Sequence, residues 1–236
     1  MSILTGESAL APADRETGLR GLRHFYDSLI GKKIIMGLTG VVMVLFVVQH
    51  MLGNLVIYQS TAMLNTYAFF LKSKPGLVWP ARLVLLVTVV LHATTAWQLS
   101  RRSRRARAGA YAMYEPQVST LASRTIRWGG VGLLLFIVFH ILHLTTGTIL
   151  PGAYQETDAA GNVIRGFRHW WVSAVYLVAM GLLVLHLHHG LYSSPRTLGA
   201  VRPFAPVRRV AATVIALAVG LGFASIPLAV LAGILR

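Results

Sequence analysis

The chain has 236 residues, 55% of them hydrophobic and only 12% charged, whereas soluble domains of this size carry about a quarter charged residues. It has no cysteine, which excludes disulfides, thiolate zinc sites, cysteine-held iron–sulfur clusters and covalently attached c-type haem. Its 22 Lys and Arg against seven Asp and Glu give a formal charge of +15, but these charges lie between long apolar runs, which points to a membrane and not to nucleic acid.

Residues 1–33 are charged and mixed, with neither an apolar h-region nor a small-residue cleavage site. They are expected to be a cytoplasmic segment from which no signal peptide is removed. Five apolar runs follow at 34–58, 79–99, 126–149, 170–192 and 210–235; a helix needs about 20 such residues to cross about 30 Å of hydrocarbon. None contains Asp or Glu, and Arg82 is the only basic residue well inside one. The runs do not alternate as barrel strands do, and backbone in lipid must pair internally. The expected fold class is all-α: an integral membrane protein whose residues 34–236 form five transmembrane helices, the first four a four-helix bundle.

Between the spans, residues 100–118 read as a basic loop, and residues 151–168, with Pro151, Gly152, Gly161 and Asn162, as an exposed outer loop. Orientation follows from Lys and Arg. One side carries Arg15, Arg20, Arg23, Lys32, Lys33, Arg101, Arg102, Arg104, Arg105, Arg107, Arg124, Arg127, Arg196, Arg202, Arg208 and Arg209. The other carries only Lys72, Lys74, Arg82, Arg165, Arg168 and Arg236. The richer side is expected in the cytoplasm, with the N-terminus inside and the C-terminus outside. Tyr58, Trp79, Trp170, Trp171 and Tyr192 fall at the expected interfaces.

Seven of the nine histidines lie within the spans: His50, His92, His140, His143, His186, His188 and His189. Any one alone reads as readily as an interhelical hydrogen bond as a ligand, because polar side chains in lipid face the bundle interior and a partner. Their distribution is more informative, since each of the first four spans has at least one and the fifth has none. At about 1.5 Å rise per residue, His50 and His140 lie about 4–6 Å outside the midpoints of the first and third spans. His92 and His186 lie about 4–8 Å inside the midpoints of the second and fourth. Two levels of paired imidazoles suit two six-coordinate haems doing electron transfer. Zinc needs three or four protein ligands; His186 and His189 share a helix face, whereas His188 does not. Helix packing, and transport or proton relay, remain as alternatives. Depth alone does not choose between His140 and His143. Gly37, Gly40, Gly53, Gly129, Gly130, Gly132 and Gly181 thin the helices, which suits either close packing or a flat macrocycle. Gln49 and Asn54 flank His50.

Several segments, in order and on the appropriate helices, carry a family resemblance: "FYDSLIGKKIIMGLTG", "VVQHMLGNL", "NTYAFFLKS", "VVLHATTAW", "RWGGVGLLLFIVFHILHLT", "LHLHHGLYSS" and "RTLGA". From about Phe25 onward the chain resembles the di-haem cytochrome b anchor of succinate dehydrogenase (succinate:quinone oxidoreductase), the type with five helices in one polypeptide. The resemblance implies two haem b groups, with His50 and His140 holding the outer, distal iron and His92 and His186 the inner, proximal one. It implies a bacterial inner membrane, and flavoprotein and iron–sulfur subunits docked on the cytoplasmic face, with a higher oligomer of the complex open. Dicarboxylate chemistry would lie in those partners, since this chain has neither a Gly-rich dinucleotide fingerprint nor cysteine ligands. Its own task would be reduction of a membrane quinone, menaquinone or ubiquinone. Donors for the quinone carbonyls would be His24, Tyr26, Ser28 and Lys32 at the inner edge, and Tyr67, Arg82 and His143 at the outer. Some fumarate reductases of the family place a glutamate two residues before the fourth-span ligand, where this chain has Val184, and an acid near the outer end of the second span, where it reads "FFLKSKPGL". Both departures favour succinate oxidation, without settling direction; an equivalent anchor of a quinol:fumarate reductase or another dehydrogenase is the alternative.

Overall fold

The computed structural model describes residues 13–106, 121–197 and 206–236. The basic connection beyond residue 106, with Arg107, lies outside the described residues, as do residues 1–12, the end of "RTLGA", Arg202 and the Arg196 side chain. The described residues form eight α-helices, in order: α1 (Ala13–Asp27), α2 (Leu29–Leu55), α3 (Thr61–Lys72), α4 (Pro75–Arg105), α5 (Leu121–His140), α6 (Ala159–Arg168), α7 (Trp170–Thr197) and α8 (Pro206–Leu231). Among the described residues there is no strand. Five helices among the described residues are long and apolar enough to cross a membrane, over Leu29–Tyr58, Pro75–Arg105, Leu121–Thr145, Trp170–Pro195 and Pro206–Leu231. The protein is an all-α, multi-pass membrane protein.

Local chemistry moves the span ends away from the hydropathy boundaries. The first span begins at Leu29 and not at residue 34, because Ser28 caps α2: its backbone is extended and its Oγ accepts from the Gly31 amide at 2.8 Å. Gly31 is required there, since a Cβ would stand 1.9 Å from the Phe25 carbonyl oxygen. Gly31 and Lys32 are already buried. The second span begins at Pro75, which suits a helical first turn because the N–H groups there have no internal acceptor and proline has no N–H to leave unpaired. The third ends in a π-helical turn, Ile141–Thr145, and the chain then reverses at Gly147, whose φ of 69° favours glycine.

Within the membrane, α2 packs on α4, α5 on α7, and α8 on both α7 and α2. Leu45, Leu86, Leu135 and Val178, on four different spans, are all more than three-fifths exposed, as side chains facing lipid should be. The fifth span is no bystander to a four-helix bundle: Ala216, Val219, Gly220, Ile226 and Pro227 of α8 are buried. It closes the side of the assembly between α2 and α7.

Residues 151–168 are not an exposed loop. Ala160, Val163, Ile164 and Phe167 bury one stripe of α6, packing with Ile57, Leu64, Val172, Tyr176, Ile226 and Val230 in one cluster. Together α3 and α6 cap the end of the bundle opposite the arginine-rich one. Asp158 anchors this cap. One carboxylate oxygen accepts from Asn65 Nδ2 and the Gly161 amide, each at 2.9 Å. The other accepts from Arg165 at 2.9 Å. These donors, Asn65 foremost, hold the Asp158 carboxyl below the usual carboxylate range.

Candidate functional site

The rings of His50 on α2 and His140 on α5 lie 5.8 Å apart, centre to centre, with planes at 87°. Those of His92 on α4 and His186 on α7 lie 6.1 Å apart, with planes at 58°. A metal–imidazole bond of about 2 Å, plus about 1.2 Å from nitrogen to ring centre, places two such rings on opposite sides of one ion about 6–6.5 Å apart. Each pair also joins helices from different packed pairs. α2 packs extensively on α4 and α5 on α7, whereas α2 with α5 and α4 with α7 make at most slight backbone contact. The histidines therefore meet across the boundary between these helix pairs.

Hydrogen bonds set the free nitrogens. His92 Nδ1 lies 3.1 Å from the Met36 carbonyl oxygen and 3.2 Å from Thr39 Oγ1. The Thr39 hydroxyl already donates to the Ile35 carbonyl at 2.7 Å, so Nδ1 of His92 carries the proton and Nε2 keeps its lone pair. A ligating histidine is held in this way, its other N–H given to a carbonyl or similar acceptor. His140 Nδ1 lies 3.1 Å from the Tyr176 hydroxyl. His186 Nδ1 is buried without a hydrogen-bond partner. His50 stacks on Phe46 at 5.3 Å and meets Phe223 of α8 at 5.8 Å. The Asn54 amide bonds chiefly to the His50 carbonyl, at 2.8 Å. Gly40 faces His92 and Gly130 faces His186; a Cβ at either would come within 3.5–3.8 Å of the ring. Small residues thus stand beside both rings of the inner pair.

The donor set is two imidazoles per level. Among the described residues no group of three or more His, Cys, Asp or Glu could hold a metal ion, which does not suit zinc. Two axial nitrogens at each level do suit a macrocycle that brings four equatorial nitrogens of its own. His50, His92, His140 and His186 thus fit two b-type haems.

The other histidines fall elsewhere. His143, in the π turn, is buried, with its Nε2 2.3 Å from where a Cβ on Gly166 of α6 would stand. It faces the cap helix, and no ring contact joins it to His50. His188 stacks on Tyr192, centres 6.4 Å apart, and His189 is half-buried beside it in sequence.

The quinone-edge candidates divide into two groups. At the α1–α2 junction Tyr26 donates to Gln98 Oε1 at 3.4 Å. Lys32 pairs with Asp27 at 3.7 Å and lies 3.8 Å from the centre of the Tyr26 ring. Ser28 Oγ donates to the Phe25 carbonyl at 2.7 Å while capping α2, so its hydroxyl serves the backbone. His24 is exposed. At the opposite end, Tyr67 accepts from Gln49 Nε2 at 3.1 Å, Arg82 is exposed and stacks on Trp79 at 5.1 Å, and His143 is sealed beneath α6. No contact joins Tyr67, Arg82 and His143 into one site. Sequence reasoning misses Tyr176, although a tyrosine ten residues before a span histidine is a visible polar signal.

Comparison with protein-family models, characterised proteins and solved structures returned no match. The class is therefore defined by the fold: an all-α protein with five membrane-length helices and two facing pairs of intramembrane histidines.

Proposed function

We propose that the chain is the membrane-anchor cytochrome b subunit of a succinate dehydrogenase. It holds one haem b on His50 and His140 and another on His92 and His186, and passes electrons from an iron–sulfur partner to membrane quinone. The observation that carries this reading is the pair of interhelical histidine contacts, with ring centres 5.8 and 6.1 Å apart, at two depths in the bundle. The segment resemblance supports it independently, because it pairs the same residues.

Haem iron, when bound, supplies reversible one-electron transfer. The protein's part is to hold and insulate. His92 presents Nε2 because Met36 takes its other proton. Aliphatic walls from α2, α4, α5, α7 and α8 exclude water and keep the dielectric low, which tunes potential. Two stations split the passage through about 30 Å of hydrocarbon into shorter jumps. Arg101, Arg102, Arg104 and Arg105, all exposed at the end of α4, form a cationic face for the soluble flavoprotein and iron–sulfur subunits on the cytoplasmic side of a bacterial inner membrane. In this reading Val184, which stands where some fumarate reductases have a glutamate, packs against Gly220 of α8 and offers no proton-carrying group.

The test is redox-titrated visible spectroscopy of the intact complex with pyridine haemochrome quantitation. The expected outcome is a b-type spectrum with two haems per chain; a colourless or single-haem preparation overturns the reading. Turnover with succinate and quinone, compared with quinol and fumarate, separates this anchor from that of a fumarate reductase.

A further inference from the structure

The Tyr176 hydroxyl lies 3.1 Å from Nδ1 of His140 and 3.0 Å from Nδ1 of His143. Its ring is buried and clamped by Phe167 at 4.7 Å, Phe136 at 4.9 Å and Phe139 at 6.0 Å. The hydroxyl thus joins two histidines on successive turns of one span from a neighbouring helix. We propose that Tyr176 is a positioning residue for the outer histidine pair, choosing His140 over His143 and fixing the nitrogen that His140 offers to iron. This inference rests on the two-haem reading.

The argument is one of proton count. A histidine that binds iron through Nε2 carries its proton on Nδ1. His140 Nδ1 then donates to the Tyr176 oxygen. It cannot accept in return, so the tyrosine's single proton goes to His143 Nδ1. That bond makes His143 the Nε2–H tautomer, with this nitrogen turned to α6 at Gly166. One hydroxyl therefore leaves His140 with a lone pair at Nε2 and occupies the only lone pair of His143. Donation from Nδ1–H also strengthens His140 as a donor to iron, which favours the oxidised metal. The bond from Tyr176 to His143 polarises the hydroxyl oxygen and so reinforces that effect.

The test uses the assembled complex purified with its own haems. Tyr176→Phe keeps the aromatic ring and removes the hydroxyl. In the His92→Ala background, where only the outer haem is expected to remain, it should raise the midpoint potential and change the shape of the low-spin ferric EPR signal. The inner haem, followed in Tyr176→Phe alone, should keep its potential. Unchanged potential and EPR, or an equal shift of both haems, overturns the proposal while leaving two haems in place. Absence of haem from the unmutated complex would instead remove the reading beneath it. If Tyr176→Phe loses the outer haem altogether, His143→Leu decides. A smaller upward shift of the same haem supports the relay of hydrogen bonds, and no shift overturns it.

Discussion

His92 shows how much of a site one side chain can carry. Its ring faces His186, its Nδ1–H is committed to Met36, and Gly40 leaves space beside it. The outer pair shares none of these groups. His92→Ala is therefore expected to halve the haem content, removing one spectral component and leaving the other at its own potential. Equal loss of both components would show that the two levels are not separate sites. His143 makes the converse point. It has the residue type and depth of a ligand, yet it is turned to the cap helix.

At the scale of elements, α6 carries the clearest energetic claim. Asp158 is both its N-cap and the acceptor for Asn65 and Arg165. Loss of an N-cap costs about 0.5–2 kcal/mol, so Asp158→Ala should lower the thermal unfolding temperature of the detergent-solubilised protein. The carboxyl is held below its ordinary value. Its contribution is thus complete above the unfolded aspartate pKa of about 3.9 and is lost as pH falls through the lower folded value. The difference in stability between the native chain and Asp158→Asn should persist at neutral pH and narrow as pH drops below about 4. A difference independent of pH would mean that the charge of Asp158 is not what holds the cap.

For the whole molecule, the dominant asymmetry is between an arginine-rich end and an end closed by α3 and α6. At the basic end Arg102 donates to the Asp27 carbonyl at 2.8 Å, and Arg101 and Arg209 stack on Trp97 and Tyr192 at 4.7 and 5.5 Å. At the other, Lys72 donates to the Glu156 carbonyl oxygen across the cap. If the basic end faces the cytoplasm, as the distribution of Lys and Arg suggests, a single cysteine placed in this cysteine-free chain reports it. Thr157→Cys should react with an impermeant maleimide on intact cells, and Ser103→Cys only after the membrane is opened. The reverse pattern would invert the topology.

The apolar runs and their number were legible in the residues alone, because lipid leaves the backbone no partner but its own helix. So were the four histidines, since a polar side chain in hydrocarbon stands out against Leu and Val. Even α6 was written in the spacing of Ala160, Val163, Ile164 and Phe167, which Gly161 and Asn162 obscured. Tertiary structure alone decided that α8 closes the side between α2 and α7 and that Tyr176 joins His140 to His143; helix depth left His140 and His143 equal, and only the resemblance had favoured the residue that faces His50. Those outcomes depend on helix rotation and on contacts between residues tens of positions apart, set by packing across helices and not by the local periodicity that a linear reading measures.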